Sequence, residues 1–121
     1  MKHRTQLLLV DYELDPSLPS PSGIPQGFTA CGMADGSFPL CLQEETARLF
    51  MFHPPSNTLT ELAPSIEAFL GLVEKFNGID VGLPQDDYLQ AVRGAISACD
   101  SSLLGGPFWG GIVEEIGHGI L

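Results

Sequence analysis

Apolar and polar positions alternate in short blocks through the first half of this chain and settle into helical spacing in the second. Gln6 to Leu14 is apolar and then alternating, which predicts one strand. Pro16, Pro19, Pro21 and Pro25, interleaved with Ser17, Ser20, Ser22 and Gly23, cannot supply a regular ladder of amide donors, so Asp15 to Gln26 is expected to be an extended surface loop. Gly27 to Met33 and Phe38 to Gln43 flank Ala34-Asp35-Gly36-Ser37, and Asp-Gly between apolar runs predicts a hairpin because both turn positions favour positive φ.

In the second strand Phe38, Leu40 and Leu42 share one face, and Pro39, Cys41 and Gln43 share the other, expected to be the wetter. Pro39 cannot donate to a ladder, which places this strand at an edge or at a bulge. A two-residue Asp35-Gly36 loop pairs Cys31 with Leu40; a three-residue loop sets Cys31 opposite Cys41. After the polar turn Glu44-Glu45-Thr46-Ala47, Arg48 to Phe52 is apolar on both faces and suits a central strand covered on each side. One more short strand is expected over Thr58 to Leu62.

Three helices complete the reading. Ser65 is a good N-cap, Ile66, Phe69, Leu70, Val73 and Phe76 fall on one stripe, and Asn77-Gly78 is a stop. A second helix is expected from Pro84 to Asp100, with Asp86 and Asp87 near the positive end of its dipole and Leu89, Val92, Ile96 and Cys99 as its apolar stripe. A third begins at Pro107, where Trp109, Ile112, Val113, Ile116 and Ile120 recur at helical spacing. The pattern therefore predicts an α+β fold: an antiparallel or mixed sheet of about five strands backed by two or three helices. There is no internal repeat.

Length is consistent with that reading, since 121 residues make one ordinary domain, here residues 1–121. The start, Met1 to Val10, places basic residues before leucines as a secretory signal does. Its apolar run stops at Asp11-Tyr12-Glu13, too short for a signal core, so it reads as the first strand of a cytoplasmic protein. No apolar run approaches a membrane span. Cys31, Cys41 and Cys99 are odd in number and scattered, which suits buried thiols better than disulfides.

Charge narrows the class of partner. Fifteen Asp and Glu against 5 Lys and Arg give a formal balance of −10, a field that repels phosphate backbones and anionic lipids and attracts basic proteins. Direct nucleic-acid or membrane binding is not expected. A simpler use of the same charge is solubility.

Candidate chemistry is sparse. His3, His53 and His118 sit in separate segments without Cys or His at ligand spacing, so neither a metal nor a cofactor is expected. His53 beside Pro54-Pro55 is a candidate general base if the fold brings it a carboxylate, which keeps a small cytosolic enzyme as an alternative. Phe108-Trp109 reads as packing of a terminal helix, or as an interface anchor. Glu44 and Glu45, Asp86 and Asp87, and Glu114 and Glu115 are adjacent pairs. Neighbours on a helix diverge rather than converge on one substrate, so the two helix pairs are most simply solvated; they and the turn pair Glu44 and Glu45 are candidates for presenting carboxylates to Lys or Arg of a partner.

Asp35-Gly36-Ser37 with the strand Phe38 to Leu42, the strand Arg48 to His53, and the helix start Ala63-Pro64-Ser65-Ile66-Glu67-Ala68-Phe69-Leu70 together resemble the SUKH superfamily of bacterial toxin-immunity proteins. Phe108-Trp109 is loosely similar to the closing segments of some members. The resemblance implies an α+β fold and a non-enzymatic role in the cytoplasm: binding a cognate polymorphic toxin domain and neutralising it by occlusion. Many toxins neutralised by the family are nucleases with basic surfaces, which the acidic balance would suit. An intracellular adaptor of the same fold is the remaining alternative. Oligomeric state is left open.

Overall fold

The computed structural model describes residues 3–8, 10–15 and 23–119, so most of the expected proline-serine loop lies outside the described residues. The strands β1 (His3–Leu7), β2 (Val10–Leu14), β3 (Phe28–Ala34), β4 (Phe38–Gln43), β5 (Leu49–His53) and β6 (Thr58–Ala63) form one antiparallel sheet in sequence order. The helices α1 (Ile66–Asn77), α2 (Gln85–Asp100) and α3 (Pro107–Gly117) follow. The α+β reading holds, with six strands rather than five.

The extra strand comes from the N-terminus, where one strand was expected over Gln6 to Leu14. Leu8 adopts φ +51°, and the chain reverses there so that Leu7 pairs with Val10 and His3 with Leu14. A leucine carries no turn signal, so apolar continuity concealed the reversal.

The Asp35-Gly36 hairpin forms, with positive φ at both residues. Its pairing closes at Ala34 with Phe38, leaving Asp35, Gly36 and Ser37 in the loop. Neither expected thiol register results, because the ladder shifts between Ala30 and Gly32 and Ala30 pairs with Cys41. Cys31 is the bulged residue. Both thiols are buried and free.

β4 is an interior strand, not an edge. Pro39 pairs with Met33 on β3 and lies outside the β4–β5 pairs, which run from Leu40–Met51 to Leu42–Leu49, so no β5 carbonyl loses a donor to it. The expectation that the Pro39 and Cys41 face is the wetter one is wrong: both residues are buried, whereas Phe38 and Leu42 are half-buried. Ala30, Cys41 and Phe50 are side-by-side partners on this face. The Phe28 ring of β3 and the Phe50 ring of β5 meet edge to face, 5.4 Å apart, across β4. Cys41, beside Phe50 in the ladder, is fully buried.

On the other face the three helices complete a continuous core that includes Leu7, Tyr12, Leu40, Leu49, Phe69, Ile96 and Trp109. Ser65 caps α1, its Oγ accepting the Ala68 N–H at 3.0 Å. α1 touches both β1 and β6, the two edges of the sheet. In a flat sheet those edges would be about 24 Å apart, twice a helix diameter, so the sheet must curl around α1. Phe69 marks the centre of the wrap, its ring 5.3 Å from Tyr12 of β2 and 6.5 Å from Trp109 of α3. Trp109 is fully buried and its indole N–H donates to the Leu62 carbonyl at 2.7 Å. At the far end of α2, Arg48 bonds to Glu61 and, at 2.9 Å, to Asp100, joining the helix terminus to the sheet.

Replacing Trp109 tests this arrangement. Trp109→Phe keeps a ring but strands the buried Leu62 carbonyl, at a cost of about 1–3 kcal/mol. Trp109→Ala adds a cavity and should cost about 3–5 kcal/mol in chemical denaturation.

The buried acidic protons give a second expectation. Burial, helped by the charge of Asp35, pushes Tyr12 from 10.0 to about 12; burial, helped by Cys41, pushes Cys31 from 9.0 to about 12; burial alone pushes Cys41 to about 11. The unfolded chain ionises these groups at lower pH than the folded one, so stability is complete below the unfolded values and is lost as pH rises through the folded ones. Urea midpoints should hold steady up to pH 9 and fall between 9 and 12. In a Cys31→Ala, Cys41→Ala variant the fall should begin nearer the ordinary tyrosine value of 10.0.

Candidate functional site

The six acidic residues expected to meet a partner are all exposed, and they form two separate groups. Glu44 and Glu45 lie in the β4–β5 turn. That turn is ordered by its own bonds: the Glu44 N–H donates to the Gly27 carbonyl at 2.9 Å, and Thr29 Oγ1 donates to Glu44 Oε1 at 3.2 Å. Arg48 links the following residues to Asp100 at the end of α2.

Asp86 and Asp87 stand in the first turn of α2, at its other end, about 20 Å away along the helix. Gln85 ties this end to the end of α3, its Nε2 donating to the carbonyls of Ile116 at 2.7 Å and Gly117 at 3.3 Å. The last turn of α3 carries Glu114 and Glu115. Two pairs distant in sequence thus gather at one end of the α2–α3 layer, while Glu44 and Glu45 stay apart.

Beside Asp86 and Asp87 lies a feature the sequence reading passed over. The loop from Gly78 to Pro84 is held by Asp80, whose Oδ1 accepts the Gly82 N–H at 2.8 Å and whose carbonyl accepts the Leu83 N–H at 3.3 Å. Among the described residues three large apolar side chains are exposed, and two of them, Val81 at 86% and Leu83 at 37%, share this loop. With Gln85, Tyr88, Ile116 and Gly119 they line an open groove of about 440 Å³. The available signal was Val81-Gly82-Leu83, an apolar pair with no place on either helical stripe.

A third acidic group, also not anticipated, lies on the sheet. Asp11, Glu13 and Asp35 border a shallow groove of about 340 Å³ with Arg4, whose guanidinium pairs with Glu13 at 3.2 Å.

His53, the candidate general base, lies at the end of β5. Its Nδ1 shares a 2.7 Å hydrogen bond with Ser56 Oγ, which also accepts from Thr58 Oγ1 at 2.8 Å, and its ring stacks on Phe38 at 5.1 Å. These are hydroxyls of its own turn, and among the described residues no carboxylate is bonded to it. Cys99 is half-buried, its Sγ donating to the Ala68 carbonyl at 3.9 Å, and burial raises its pKa above the usual thiol value. Asp100 is held below the usual carboxylate range by hydrogen bonds from Ser102 and Arg48. Among the described residues no three His, Cys, Asp or Glu side chains group to hold a metal, and no helix is long and apolar enough to cross a membrane.

No family model, no curated protein and no solved structure matches this chain.

Proposed function

We propose that this chain is a cytoplasmic immunity protein of the SUKH type, which binds a cognate toxin domain and blocks it by occlusion. The toxin it suits best is a basic nuclease. The observation that carries the reading is the gathering of Asp86, Asp87, Glu114 and Glu115 at one end of the α2–α3 layer, tied together by Gln85. A chain with a formal charge of −10 attracts a basic partner over a distance of about one Debye length, roughly 10 Å at 0.1 M salt. Exposed carboxylates of this kind raise the rate of encounter more than the final affinity.

The electrostatics of the two pairs differ. Asp86 and Asp87 lie at the positive end of the α2 dipole and stabilise that helix, whereas Glu114 and Glu115 lie at the negative end of α3 and oppose it. At that position each glutamate carries a local electrostatic cost. Such a cost is common where a surface is kept for recognition.

One contact favours the alternative of a small enzyme, the His53–Ser56 hydrogen bond of 2.7 Å, which pairs a hydroxyl with a base. That reading requires His53→Ala to abolish an activity while the fold survives; an unchanged rate removes it. An adaptor of the same fold would capture a housekeeping protein rather than a toxin.

Co-expression with the product of the neighbouring gene tests the leading reading. The two proteins should co-purify and growth should be rescued; no association and no protection would sink it. Glu114→Gln with Glu115→Gln should slow association roughly tenfold at low salt, with the difference fading as salt rises. The same pair of changes should stabilise the free protein by about 0.3 kcal/mol or more per residue in urea melts, because each removes a charge from the wrong end of a dipole. Loss of stability together with loss of binding would instead mark the glutamates as structural.

A further inference from the structure

We propose that the groove between the Gly78–Pro84 loop and the end of α3 is the docking point for a basic protein segment that carries one apolar anchor side chain. This rests on the protein-binding reading above and assigns it a place and a partner chemistry.

Three independent observations converge here. The first is exposure: Val81 and Leu83 stand open to solvent in one short loop, and among the other described residues Leu8 is the one further large apolar side chain left exposed. Scattered exposed apolar residues are ordinary, but two beside a groove of about 440 Å³ form a contiguous surface, and Tyr88 in its wall is of the type that anchors interfaces.

The second is order. Hydrogen bonds from Gly82 and Leu83 to Asp80, and from Ile79 to the Phe76 carbonyl, hold the loop with Val81 outward before any partner arrives. A pre-formed loop loses little freedom on binding. The Gln85 bonds to Ile116 and Gly117 likewise fix the opposite wall.

The third is charge. Gly78 to Val92 contains Asp80, Asp86 and Asp87 and no Lys or Arg, and Glu115 lies in the last turn of α3, whereas Glu114 lines a neighbouring groove with Arg93. The protein's three arginines lie elsewhere, Arg4 paired with Glu13, Arg48 with Glu61 and Asp100, and Arg93 in the neighbouring groove with Glu114. An apolar centre with an acidic rim is complementary to an apolar side chain flanked by Lys and Arg. A second copy of this chain would bring the same carboxylates face to face, which like-charge repulsion opposes.

A synthetic peptide rich in Lys and Arg with one central leucine serves as the probe, titrated into the isotope-labelled full chain and followed by amide shifts. Shifts should concentrate at Ile79–Tyr88 and Ile116–Gly119. Replacing the peptide's leucine by serine should weaken binding about tenfold, and so should Val81→Ser with Leu83→Ser in the protein. Val81→Ser alone, at the more exposed position, gives a second variant that retains the fold. Binding of both basic peptides with equal strength, or shifts centred on the Glu44–Glu45 turn, overturns the docking point while leaving an acidic protein-binding chain. Closure of the groove by self-association in sedimentation also overturns it. Absence of binding to any basic peptide overturns the partner chemistry, and only a failed co-expression rescue would remove the immunity reading as well.

Discussion

A six-stranded meander can shelter a single helix only by curling until both of its edges reach that helix, and this constraint governs the fold. The hydrogen bond from the Trp109 indole to the Leu62 carbonyl closes the wrap. Leu62 is the bulged residue of β6: Leu49 pairs with Ala63 and Phe50 with Glu61, so Leu62 has no partner across the ladder. The bulge thus leaves a carbonyl that α3 can use. A buried indole N–H needs an acceptor, and without one its desolvation would oppose the packing that Phe69 and Phe76 provide. The same contact lays α3 along the outer strand, which covers part of an edge otherwise open to pairing.

The bulge at Cys31 does matching work on the other side of the sheet. A Cβ at Gly32 would lie 2.0 Å from the Glu13 carbonyl oxygen, so β2 approaches β3 more closely than any side chain allows. Two further bonds hold the approach, from the Asp15 N–H to the Cys31 carbonyl at 2.8 Å and from the Asp35 N–H to the Asp11 carbonyl at 2.6 Å. Bulges add local twist and bend the strand that contains them. With one in β3 and one in β6, the sheet turns its helix-bearing face inward, bringing Tyr12 to the Phe69 ring.

These devices explain which parts of the fold were legible from residues alone. Helices were, because a Ser65 cap, a proline start and a stripe such as Trp109, Ile112, Val113 and Ile116 are local signals. Strand pairing was legible only where turn chemistry marked it, as at Asp35-Gly36. It failed at Leu8, which reverses the chain without a turn residue, and at Cys31, where a bulge changed the thiol register. Burial of the Cys41 face goes with Phe28 and Phe50 meeting across an intervening strand, a contact between residues far apart in sequence. For the candidate site, the exposure of each acidic pair was readable, but not that the Gln85 bonds would bring two pairs together and leave Glu44 and Glu45 at the opposite end. Val81 and Leu83 were missed because an apolar residue in a loop looks the same in sequence whether it is buried or displayed.

The two ends of α2 divide stability from presentation. At its C-terminal end Asp100 accepts from Arg48 and from Ser102, so that carboxylate is used within the fold and Arg48 is drawn away from the rest of the surface. At its N-terminal end Asp86 and Asp87 need no cation, because the helix dipole already favours them there. Negative charge from Asp86 and Asp87 can therefore stand beside Val81 and Leu83 without an internal counter-ion, whereas Glu114 and Glu115 oppose their own helix and Glu114 shares a groove with Arg93. Charge that a structure neutralises internally is spent on folding, whereas charge left unneutralised around an ordered apolar groove remains available to a second molecule. That asymmetry, more than the total of −10, distinguishes this end of the protein from the rest of its acidic surface.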